Sequence, residues 1–133
     1  MAIHNILIVD DYPTERFYLT DILVRAGYAV STAVNGEEAI DKIRTERPQL
    51  ILMDVVMPGA NGFQVTRSIA RDPELAAIPV IICSSKNQET DRIWGMRQGA
   101  KDYLVKPVDP ALLLASIASL DQRAAAPAAA AAA

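Results

Sequence analysis

Five short, mostly apolar runs punctuate the chain: Asn5-Ile6-Leu7-Ile8-Val9, Tyr28 to Ala33, Leu50-Ile51-Leu52-Met53, Val80-Ile81-Ile82-Cys83 and Tyr103-Leu104-Val105. Runs of this length without polar alternation read as strands buried on both faces, as in a parallel sheet. Between them, apolar residues recur at helical spacing. Pro13 opens a first helix where its missing N–H costs nothing; Leu19, Ile22, Leu23 and Ala26 form its inner stripe, and Gly27 stops it. Asn35-Gly36-Glu37-Glu38 reads as a capped start for a second helix, lined by Ala39, Ile40 and Ile43. Asn61 caps a third, with Phe63, Val65 and Ile69 on its buried side. A fourth runs from about Asn87 to Gln98 and stops at Gly99. Asp109-Pro110, cap then proline, begins a fifth that buries Leu112, Leu113, Ile117 and Leu120.

The order is a strand followed by a helix, five times over, and this predicts an α/β fold with helices on both faces of a five-stranded parallel sheet. Right-handed crossovers make it an open, doubly wound (βα)5 sandwich, flavodoxin-like, because five units are too few to close an eight-unit barrel. The 133 residues suit one domain. We expect residues 1–122 to form it. From 123 to 133 the chain is almost entirely alanine, which suggests a tail or linker that contributes little to a core.

Composition narrows the chemistry. With 51% apolar residues the chain is not disordered, and a net charge of −3 argues against a nucleic-acid-binding surface. The single cysteine, Cys83, rules out an internal disulfide or a multi-cysteine metal site; in its apolar run it reads as a small buried hydrophobe rather than a nucleophile. No run reaches membrane-spanning length, and the first apolar stretch ends at once in Asp10-Asp11, so the expectation is a soluble cytoplasmic protein. Trp94 is expected to pack the fourth helix onto the sheet, a partner-facing anchor being the alternative.

Sheets of this kind bind ligands at the carboxyl ends of their strands. Four of the five strands end there in polar residues: Asp10 and Asp11, Asp54, Ser84, and Lys106. Three crowded carboxylates cannot all stay ionised without a cation, and an all-oxygen ligand set favours Mg²⁺ or Mn²⁺ over zinc. Mg²⁺ takes few protein carboxylates and completes its shell with water and phosphate oxygens. A lysine and a hydroxyl on neighbouring strands would meet the remaining oxygens of a phosphoryl group. A carboxylate can itself become an aspartyl phosphate. The set is therefore complete for metal-assisted phosphoryl transfer onto Asp54.

In combination, Asp10-Asp11, Asp54 with Met57-Pro58-Gly59, Ser84 and Lys106-Pro107 make the chain from Ile3 to Leu120 resemble a response-regulator receiver domain of the CheY type. The resemblance implies Asp54 as phosphoacceptor. It also implies Mg²⁺ held by Asp10, Asp11, Asp54 and the backbone carbonyl of Val56. Lys106 would pair with the phosphoryl group, Ser84 would move to hydrogen-bond it, and Tyr103 would change rotamer with Ser84 to reshape the surface of the fourth helix, fifth strand and fifth helix. It implies, too, a sensor histidine kinase or phosphotransfer domain as donor and a downstream protein target. The segments Val55 to Gln64 and Gln88 to Gly95 also resemble the PilH-type twitching-motility regulators of type IV pili. The chain departs from many receivers two residues after Asp54 and two after Ser84, where it holds Val56 and Lys86; polar groups at those places influence hydrolysis of the phosphorylated state.

Other classes fit less well. A metal-dependent aspartyl phosphatase needs a second acid/base carboxylate two residues past the nucleophile, where Val56 stands. A nucleotide-binding module needs a glycine-rich loop after the first strand, where Asp10-Asp11-Tyr12-Pro13 stands. Length and the lack of a second motif favour a single-domain regulator, with a receiver detached from a C-terminal effector as the alternative. The expectation is a signalling domain that assists only its own phosphorylation and dephosphorylation, not an enzyme acting on other substrates.

Overall fold

A computed structural model describes residues 3–125, with side chains to residue 122. Ten elements alternate along it: β1 (Asn5–Val9), α1 (Pro13–Arg25), β2 (Ala29–Ala33), α2 (Gly36–Glu46), β3 (Leu50–Met53), α3 (Gly62–Arg71), β4 (Val80–Ser84), α4 (Glu89–Arg97), β5 (Asp102–Val105) and α5 (Pro110–Ala125). The five strands pair in parallel in the order β2-β1-β3-β4-β5. This is the flavodoxin-like arrangement, with its switch point between β1 and β3. Helix α5 carries the start of the alanine-rich segment to Ala125; the rest of that expected tail lies outside the described residues.

Side-chain alternation sorts the core into two layers, since successive strand residues point to opposite faces. Ile6 and Ile8 of β1, Leu50 and Leu52 of β3, and Ile81 and Cys83 of β4 pack with Leu19 and Leu23 of α1 and with Leu113 and Ile117 of α5. Leu7 and Val9, Ile51 and Met53, and Val80 and Ile82 pack on the other face with Ala39 and Ile43 of α2 and with Phe63, Val65 and Ile69 of α3. Cys83 is fully buried, and burial pushes its thiol up to about 12, so it is a packing residue as expected.

Three of the expected packing residues face outward. Ala26 is the exposed cap of α1 rather than part of its stripe, and Leu112 is 61% exposed. Trp94 is half exposed, at 49%. The position that α4 turns to the sheet belongs to its neighbour Gly95, where a Cβ would come within 2.9 Å of Ile82 Cδ1 and 3.0 Å of the Tyr103 ring. A residue without a side chain lets the helix sit close, and the indole one step along is rotated outward.

Caps fix where the helices begin. Asn35 Oδ1 accepts from Glu38 N at 2.8 Å. At α3, Asn61 Oδ1 accepts from Gln64 N while Gln64 Oε1 accepts from Asn61 N, both at 3.0 Å. That reciprocal pair satisfies two otherwise orphaned donors. Asn61→Ala is expected to lower stability by about 1 kcal/mol in urea unfolding; an unchanged midpoint would mean that α3 does not depend on this cap.

Candidate phosphoacceptor site

The polar residues at the strand ends are drawn together by the backbone ladder, which continues one step past the strands. Asp10 N donates to Ala33 O at 3.0 Å, Asp54 N to Val9 O at 2.9 Å, and Lys106 N to Ser84 O at 2.8 Å. Asp10, Asp54 and Lys106 are thus placed by main-chain hydrogen bonds before any side chain interacts. The start of α3 supports the same point from below. Gly62 N donates to Val55 O at 2.9 Å, and the helix lies directly against the Asp54 carbonyl.

The side chains then converge. Lys106 Nζ lies 2.8 Å from Asp10 Oδ2 and 3.2 Å from Asp54 Oδ1. Asp10, Asp11 and Asp54 each offer an oxygen, and these oxygens lie within 4.8 Å of one another. Asp10 and Asp54 are buried and Asp11 is exposed, so the cluster opens to solvent on the Asp11 side. Burial holds the Asp54 carboxyl above its ordinary range; Asp10 adds to this, and Lys106 opposes both. Burial alone would lower Lys106, but its hydrogen bond to Asp10 and the two carboxylate charges outweigh it and leave the amine above its usual value. One ammonium faces three carboxylates, and this donor set suits a hard divalent cation.

Ser84 is fully buried, and its hydroxyl accepts from Lys86 N at 3.1 Å. Tyr103 is also buried, and its hydroxyl donates to Lys86 O at 2.7 Å. The backbone of Lys86 therefore joins the two residues. Val56 follows β3 with 61% of its surface exposed. Asp10 does double duty: its Oδ1 accepts from Tyr12 N at 2.9 Å and helps to begin α1, while Oδ2 holds the lysine.

Two participants escaped the sequence reading. Arg16 donates through Nη1 to the Asp10 carbonyl at 2.8 Å. Burial raises the carboxyl of Glu15, in the first turn of α1, above its ordinary range, and the charges of Lys106, Asp10 and Asp54 act on it as well. Nothing in the sequence marks either residue, since charged side chains are common in the first turn of a helix.

The sheet topology, this acidic cluster and the bridging lysine agree with the comparison of the sequence with known families. Residues 6–118 match the response regulator receiver domain, and the chain belongs to that family. It is a signalling receiver rather than a classical enzyme. Among its relatives is protein PilH of Pseudomonas aeruginosa, 55% identical over 113 residues that cover 85% of this chain and 93% of that protein. The transcriptional regulatory protein AfsQ1 of Streptomyces coelicolor is 38% identical over 119 residues, and there the match covers 90% of this chain but 52% of the longer protein. The solved structure of Vibrio cholerae chemotaxis protein CheY4 superposes with a TM-score of 0.82 at 30% identity, over 89% of this chain and 98% of that one. No described helix is long and apolar enough to cross a membrane.

Proposed function

We propose that the chain is a phosphorylation-controlled switch whose acceptor is Asp54. The observation that carries this reading is Lys106 Nζ, held between Asp10 and Asp54 at the mouth of a three-carboxylate cluster. A carboxylate oxygen of Asp54 attacks phosphorus, the bond from phosphorus to the donor's imidazole nitrogen breaks, and the bonding pair leaves with the imidazole. The product is an acyl phosphate. Asp10, Asp11, Asp54 and the Val56 carbonyl would hold Mg²⁺, or Mn²⁺ in its place. The ion supplies neutralisation of the charge on the transferring oxygens. Lys106, already 3.2 Å from Asp54 Oδ1, needs only a small shift to pair with a phosphoryl oxygen there.

The donor in this reading is a histidine kinase or phosphotransfer domain. Ser84 turns its hydroxyl from Lys86 N to the new phosphoryl group. The loop between β4 and α4 follows, and Tyr103, tied to the same Lys86, adjusts with it. The phosphorylated form thereby shifts a two-state equilibrium. The output is altered binding of a cytoplasmic protein target on the face of α4, β5 and α5. The likeness to PilH supports a place in pilus-driven twitching motility or related chemotaxis-like signalling.

Incubation with radiolabelled phosphoramidate and Mg²⁺ should place one phosphoryl group on the chain, stable to mild acid and released by hydroxylamine as an acyl phosphate is. EDTA should suppress uptake. Labelling that persists in EDTA, or resists hydroxylamine, would remove Asp54 and the cation from the account.

A further inference from the structure

Three arginines line one groove between α3 and α4. Arg67 and Arg71 stand one turn apart on α3 and Arg97 ends α4. With Ala70, Gln98 and Gly99 they border a cavity of about 310 Å³. The two elements approach closely there: a Cβ on Gly99 would lie 2.7 Å from the Ala70 Cβ, so this glycine lets the arginines of both reach one opening. None of the three forms an ion pair or a side-chain hydrogen bond among the described residues. The acids that follow α3 are taken, Asp72 by Arg44 at 2.8 Å and Glu74 by Arg47 at 3.4 Å. Like charges four residues apart on a helix repel, and a third guanidinium at the same opening adds to the repulsion.

Helix ends explain only part of this. A cation in the last turn suits the macrodipole, and Arg71 and Arg97 are so placed. Arg67 stands a turn earlier, where that effect has faded. Gln98 is a separate sign of a ligand. It is only 8% exposed, and its main-chain N–H is spent on Trp94 O and Gly95 O, both at 3.1 Å. Its side-chain amide has no partner among the described residues. The amide is not sealed, since Glu15 Oε1 is the one sealed side-chain atom without a partner there; its opening is the groove that it lines. A polar group buried this far is normally hydrogen-bonded.

We propose that the groove is a docking site for an acidic peptide segment of a protein partner, with Arg67, Arg71 and Arg97 on its carboxylates and Gln98 on its main chain. Guanidinium forks match carboxylates and phosphates alike. The amide decides between them, because it offers an acceptor as well as donors. A phosphate, made of acceptors, leaves that oxygen unmatched, as it does the last carbonyls of the two helices. A peptide supplies carboxylates, N–H groups and carbonyls together. The groove lies toward the far end of α3 from Asp54, against whose carbonyl that helix begins. Docking here does not need the phosphoryl group, and the inference stands apart from the acceptor assignment.

The test is fluorescence anisotropy of a fluorescein-labelled octapeptide of alternating glutamate and glycine, titrated with the full chain in low-salt buffer. Wild type should bind it, and added salt should weaken the complex. Arg67→Gln and Arg97→Gln should each weaken binding about fivefold, the upper range for an exposed charge pair. Gln98→Met, close in size and without the amide, should weaken it about threefold. Arg25→Gln, which removes an exposed arginine on α1, should leave it unchanged. Circular dichroism melts check that the compared chains are folded. No binding by wild type, or an equal loss in Arg25→Gln, would overturn the proposal, since the groove would then have no hold on an acidic chain beyond net charge. Release of the labelled peptide by inorganic pyrophosphate at far lower concentration than by unlabelled peptide would assign the groove to a phosphate and equally overturn it.

Discussion

Asp54→Asn is expected to reduce phosphoryl uptake from phosphoramidate to background while the chain remains folded. An amide oxygen is a poor nucleophile toward phosphorus, and the two buried neighbours are already engaged. Asp10 is held by Lys106 and by the Tyr12 amide, and Ser84 is committed to Lys86 N. The same substitution should stabilise the metal-free protein. In the folded chain, burial and Asp10 raise the Asp54 carboxyl above its ordinary range. The folded state therefore binds that proton more tightly than the unfolded state. Its contribution to stability is present below the ordinary carboxylate range and is lost as pH rises through the raised value. In EDTA, unfolding curves across that window should slope less for Asp54→Asn, with a higher melting temperature near neutrality. Wild-type labelling of the variant would disprove the assignment, and a lower melting temperature in EDTA would contradict the crowding argument.

Gly62→Ala should be the most damaging single methyl in the chain. A Cβ at Gly62 would overlap the Asp54 carbonyl oxygen and lie 2.8 Å from its carbon and 2.9 Å from Val55 Cα. The obstacle is backbone on both sides, so no flexible side chain can yield. To make room, α3 must leave the end of β3, breaking the bond from Gly62 N to Val55 O. We expect a loss of about 3 kcal/mol or more in urea unfolding, at or beyond the upper range for an overpacked core. Phosphoryl uptake should fall with it, because the displaced backbone carries the acceptor. A loss below about 1 kcal/mol would mean that α3 docks less tightly than described.

The sheet was legible because its strands are buried on both faces, so apolar runs such as Leu50 to Met53 and Val80 to Cys83 stand out whatever the helices do. The cluster was legible for a related reason. Once the strands are parallel and adjacent, the residues that follow them must share one edge, and Asp10, Asp54 and Lys106 do. The helices were harder to read. Leu112 fits a helical stripe in sequence but is turned outward, and Ala26 fits one but falls past the last turn of α1, at its cap. Trp94 was misjudged because size argues for burial, whereas the close approach of α4 at Gly95 leaves no room for an indole. Glu15 was passed over because a glutamate in the first turn of a helix has an ordinary role there, favourable to the helix dipole. Only its buried oxygen, without a hydrogen-bond partner among the described residues, sets it apart.

The hydroxyl of Ser84 and the phenol of Tyr103 meet on the main chain of Lys86, not on its side chain. Every amino acid except proline offers that same amide and carbonyl. The exposed residue at 86 can therefore trade its charge, size or polarity while the relay beneath it stays wired, which leaves the protein a spot where recognition can drift independently of the trigger.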